Sequence, residues 1–127
     1  MPGTLEGRGA WAHTRVRRVV RFSSAASGDI KSVFAWTLEH FGPAQVDRYE
    51  DLIKLAVLEI SMHPDGPIAR KHPLIHPDAR IIHLSRSGMP ASHFMLFRHT
   101  EDGSIEVGRL LHDNMNLPMG LPEEFRR

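Results

Sequence analysis

The sequence of 127 residues contains no cysteine, which excludes disulfide frameworks, thiol nucleophiles and Cys-ligated zinc. Such usage suits a reducing cytosol, so a cytoplasmic protein is the expectation. No apolar run approaches the roughly 18 residues that a membrane span requires. The stretch from Met1 to Arg15 has none of the apolar core of a secretory signal. Charge of one sign is also missing: 16 Lys and Arg against 15 Asp and Glu leave a formal net of +1, far from the strong positive field of a typical nucleic-acid binder. There is no Gly-rich phosphate loop, since Gly3, Gly7 and Gly9 precede any strand. Tyrosine occurs once, as Tyr49, and lysine only as Lys31, Lys54 and Lys71.

What is present is an ordinary globular composition, 41% hydrophobic and 24% charged, at the length of one domain. The basic residues are almost all arginine, and Arg15, Arg17, Arg18 and Arg21 crowd one short segment. Arginine favours bidentate contact with carboxylates or phosphates. Two readings stand: an edge strand protected by charge, or a strand crossed by an acidic partner.

Along the chain, residues 1–14 hold three Gly and a Pro without periodicity and read as a flexible leader. A single domain is expected over 15–122, with 123–127 as a tail. From Arg15 to Phe22, β-branched Val16, Val19 and Val20 alternate imperfectly with Arg, predicting a first strand at or near an edge. Ser23 or Ser24 caps a helix to about Phe41, with Ile30, Val33, Phe34, Thr37, Leu38 and Phe41 on one face; Gly28 suggests that it begins later than Ser24. Gly42-Pro43 ends this helix and opens the next. That second helix, roughly Pro43–Met62, carries one stripe of Val46, Tyr49, Ile53, Ala56 and Ile60 and another of Leu52, Leu55 and Met62, predicting burial over a wide arc. Four prolines between His63 and Asp78 mark an irregular connection. Strands follow at about Ala79–Leu84, Ser92–His99 and Ile105–Leu111, the middle one apolar on both faces, with an Asp102-Gly103 hairpin turn. The fold class is α+β in the order β-α-α-β-β-β, a helical hairpin packed on a mainly antiparallel small sheet.

Several strings carry a resemblance. They are the stretch Ile30–Tyr49 with its Phe41-Gly42 join, the exit His63-Pro64-Asp65-Gly66, and Arg80 opening a strand. Two more are His93-Phe94-Met95-Leu96-Phe97-Arg98 and, most telling, Arg109-Leu110-Leu111-His112-Asp113-Asn114-Met115-Asn116-Leu117. In this order they resemble the ParE/RelE toxin superfamily, and the last is similar to the R-V-L-H-x-x-M-D-L ending of ParE-like plasmid-stabilisation proteins. The departures are Asn116 in place of Asp, the longer leader, and Pro118-Met119-Gly120 where a basic or His residue is common.

The resemblance to the ParE branch implies the toxin of a type II toxin–antitoxin system that inhibits DNA gyrase and causes growth arrest. It also implies neutralisation by a cognate antitoxin, ParD-like or RelB-like, in a hetero-oligomer. On this reading the chain acts by binding rather than as an enzyme, with Arg17, Arg21, Arg80, Arg98 and Arg109 as candidates for contact with antitoxin or target. The alternative is a RelE-like, ribosome-dependent mRNA endonuclease. It would need a base for the 2′-hydroxyl, cations around the phosphate and an acid for the leaving oxygen, and Arg80, Arg98, Arg109 and His112 are the candidates. Arg98 and Arg109, on adjoining strands, would then meet on one sheet face. The structural alternative has Arg109 and His112 anchoring the strand end. A third possibility is a degenerate member that binds an antitoxin without toxicity. No cofactor and no metal are expected: His72 and His76 have helical ligand spacing near His83, but Pro73 and Pro77 spoil the helix.

Overall fold

The computed structural model describes residues 17–71, 78–86 and 88–113. The expected leader, the tail, His72 and His76 lie outside them. The elements are β1 (Val20–Phe22), α1 (Ser24–Phe41), α2 (Pro43–Met62), β2 (Arg70–Lys71), β3 (Arg80–His83), β4 (His93–His99) and β5 (Ile105–His112).

Helix α1 starts at Ser24 despite Gly28, because the Ser23 side chain accepts the Ala26 N–H at 3.0 Å and satisfies one of the unpaired donors of the first turn. Its end is set by Gly42, whose φ of 88° needs glycine and whose N–H donates to the Thr37 and Leu38 carbonyls. Pro43 favours extended ψ at the residue before it, and Gly42 has a ψ of 175°. The chain thus leaves one helix and enters the next through a single residue, giving the expected hairpin.

The burial stripes are narrower than the periodicity predicts. On α1 the buried face runs through Ala26, Ile30, Val33, Phe34 and Thr37, while Leu38 and Phe41 are exposed. On α2, Tyr49, Leu52, Ile53, Ala56 and Ile60 are buried, and Leu55 and Leu58 are exposed. One side of each helix meets the sheet and its partner helix, and the remaining apolar positions have no third layer to meet.

The sheet has the order β1-β5-β4-β3-β2. β1 runs parallel to β5 and every other pair is antiparallel. β1 is therefore a terminal strand. At the other end is β2, which the sequence reading missed: two exposed residues show no periodicity. In β4, Phe94, Met95, Leu96 and Phe97 are all buried. Met95 and Phe97 join the main core with Ile82, Val107 and Leu110, while Phe94 and Leu96 join a second cluster with Ala79 and Leu111. That two-sided burial explains the unbroken apolar run. The β4–β5 turn has Gly103 at φ 85°, and the Asp102 carboxylate accepts from the Thr100 hydroxyl and the Ser104 N–H, which hold it well below the usual carboxylate range. No helix among the described residues is long and apolar enough to cross a membrane.

Candidate functional site

Three of the arginines singled out from sequence are held by three different carboxylates. Arg80 meets Asp65, of the His63–Gly66 string, at 2.6 Å, and His99 lies 3.8 Å from the same carboxylate. Burial, and then Arg80, lower the pKa of His99. Arg98 donates to Glu106 at 3.1 and 2.9 Å across the β4–β5 pair. Arg109 donates bidentately to Asp29 of α1 at 2.6 and 2.9 Å, and Asp29 also accepts the Leu110 N–H at 3.0 Å. These hydrogen bonds raise the pKa of Arg109. The register sets Arg98 opposite Glu106 and Arg109 opposite Leu96, with an irregularity between. Arg98 and Arg109 are thus each engaged by a carboxylate of a different element, Glu106 of β5 and Asp29 of α1. Arg21 makes only an exposed 3.5 Å contact with Asp102, which contributes little.

Arg17 lies in a different setting. Beside β1, a groove of about 550 Å³ is walled by Val20, Phe22, Ile30, Phe34, Ile53 and Val57. Its rim carries Arg17, Arg18 and Lys54 against one carboxylate, Glu50. The Arg18 N–H donates to the Ser61 carbonyl at 2.9 Å and ties the strand's approach to the end of α2.

A second groove, of about 670 Å³, opens where α1 ends and α2 begins, and contains Trp36, Phe41, Gln45, Tyr49, His93 and His112. Tyr49 organises its floor. The Ser92 N–H donates to the Tyr49 hydroxyl at 3.0 Å, and the hydroxyl shares a hydrogen bond with His93 Nδ1, also 3.0 Å away. In the neutral ring one nitrogen carries the hydrogen and the other accepts. Burial, and then neighbouring His112, lower the pKa of His93 and favour that neutral form. His112 stands edge-to-face with His93 at 5.0 Å. Behind them His83 Nδ1 accepts from the Ser85 N–H and hydroxyl, leaving Nε2–H to donate to Asp113 at 2.8 Å. Sequence reasoning placed Tyr49 in the core and passed over Trp36 and His93. The available signal was Trp36, standing off the apolar stripe of α1.

The family model described as "ParE toxin of type II toxin-antitoxin system, parDE" matches residues 20–117. The chain belongs to the ParE toxin family. It is accordingly the toxin of a type II toxin–antitoxin system. Among solved structures it is similar to a chain of the chromosomal ParDE system from P. aeruginosa, with a TM-score of 0.62 at 16% identity, covering 76% of this chain and 96% of that one. That likeness bears on the fold. No curated protein sequence matches. In this ParE-family chain some of the strings that carried the resemblance are joined in pairs, Asp65 with Arg80 and Tyr49 with His93, while Arg109 pairs with Asp29, just ahead of the first string.

Proposed function

We propose that this ParE-family toxin acts by binding, that its target is DNA gyrase, and that a cognate antitoxin neutralises it through the groove beside β1. One observation carries the reading. Arg80, Arg98 and Arg109 each pair with a carboxylate of the fold, so their charge is engaged in holding strands and helix together rather than converging on a phosphate. The cations on the rim of an open apolar groove are Arg17 and Arg18, with Lys54 beside Glu50 at 3.9 Å. A disordered antitoxin segment that folds on binding suits such a surface, its apolar side chains filling the floor and its acidic ones meeting the rim. The place of action is the cytoplasm, and the complex is a hetero-oligomer.

The test is supercoiling by purified gyrase run beside cell-free translation of a reporter mRNA. Loss of supercoiling with intact translation is the expected result. Cut mRNA with intact supercoiling would overturn the gyrase reading and make Arg98, Arg109 and His112 catalytic candidates.

A further inference from the structure

The groove beside β1 leaves the second groove without a role. Among the described residues, none that line this second groove is Asp, Glu, Lys or Arg, which disfavours a polyanion or an acidic segment. Trp36 is 54% exposed and Phe41 65%, although large aromatic side chains lose most by standing in water. Their arrangement is fixed in advance. His40 stacks on Trp36 with ring centroids 4.2 Å apart, and the His40 ring is itself pinned by an Nδ1–H donated to the Trp36 carbonyl at 2.8 Å. Phe41 meets Trp36 edge-on at 5.6 Å. The opposite wall is braced by Tyr49 and neutral His93. Rigid, half-exposed aromatics around a centre without carboxylate, ammonium or guanidinium groups among the described residues are the features of a protein-binding hot spot, where little ordering entropy remains to be lost on association. The two grooves share no lining residue, so an acidic segment along β1 does not by itself fill this one.

We infer that the Trp36–Phe41 groove is where the toxin docks on its target protein, receiving an uncharged segment that inserts an aromatic or aliphatic side chain between Trp36 and His93. This inference rests on the gyrase reading above. The target and the antitoxin then bind at different places on one helical hairpin.

The test uses the full chain and the double variant Trp36→Ala/Phe41→Ala, with gyrase and the cognate antitoxin as separate probes. Both side chains are exposed, so circular dichroism is expected to stay unchanged. The expected result is gyrase binding weakened about 20-fold with antitoxin binding within about twofold. A second variant, Ser32→Asp, removes no packing and places a carboxylate in the charge-free groove. It is expected to weaken gyrase binding in the same selective way. Unchanged gyrase binding in both variants would overturn the inference while leaving the gyrase reading intact. Equal loss of both partners would also overturn it, by making the grooves one surface. Loss of self-association with gyrase binding retained would assign the groove to a second copy of the chain. If the unaltered protein does not bind gyrase at all, the gyrase reading fails first and the inference with it.

Discussion

Two grooves of similar size, about 550 and 670 Å³, are cut into one helical hairpin and differ in what lines them. The groove beside β1 has an apolar floor of aliphatic side chains with Phe22 and Phe34, and a rim of three cations and Glu50. The groove at the helix junction has aromatic walls and, among the described residues, no Asp, Glu, Lys or Arg. Apolar floors with charged rims suit a segment selected by both shape and charge, whereas an aromatic cleft without a charged rim selects by shape and desolvation. One helical hairpin thus contributes to two surfaces that distinguish partners by different physics. The difference comes from a few side chains: Arg17, Arg18 and Lys54 at one, Trp36, Phe41 and His93 at the other.

The comparison breaks most visibly if charge is reversed at one groove only. Arg17→Glu/Arg18→Glu/Lys54→Glu is expected to weaken antitoxin binding by about 100-fold, near 3 kcal/mol, and to leave gyrase inhibition within a few-fold. Equal losses in titration and supercoiling assays would dissolve the distinction. Next in size is Asp29→Ala, which strands Arg109 and the Leu110 N–H. Asp29 and Arg109 are largely enclosed, so a loss of about 2–3 kcal/mol in urea unfolding is expected. Because α1 lines both grooves, both partners should weaken together.

Tyr49→Phe sharpens the comparison from the other side. It deprives the Ser92 N–H and His93 Nδ1 of their shared partner and should destabilise the fold by about 1–2 kcal/mol, lowering gyrase binding more than antitoxin binding. The smallest effect concerns pH. His93 and His99 have pKa values held below the ordinary histidine value, so the unfolded chain binds more protons as pH falls through about 6.5. Stability is expected to be complete above that pH and to decline below it, levelling once the folded-state values are passed. Melting scans from pH 8 to 5 test this, and His93→Gln should flatten the slope.

Much of the fold was legible because its signals are local. Ser23 as a cap, Gly42-Pro43 as a join and Asp102-Gly103 as a turn each work through neighbouring backbone, and all three stand where the sequence placed them. The stripe on α1 was read too far, to Leu38 and Phe41, because periodicity records which positions share a face and not whether another layer exists to cover it. β2 escaped because two residues carry no pattern. The site was less legible still. The pairs Asp29–Arg109, Asp65–Arg80 and Tyr49–His93 join residues far apart in the chain, and the strings that carry the resemblance do not show which partner each one meets. Trp36 and His93 converge only after the hairpin packs on the sheet.

The most direct measurement is the salt dependence of the two associations made by one preparation of the protein. Between about 0.05 and 0.5 M salt the Debye length shrinks several-fold. The account predicts that antitoxin affinity falls steeply while gyrase affinity holds or rises slightly. Parallel decline of both would mean that the neutral groove is not where the target binds.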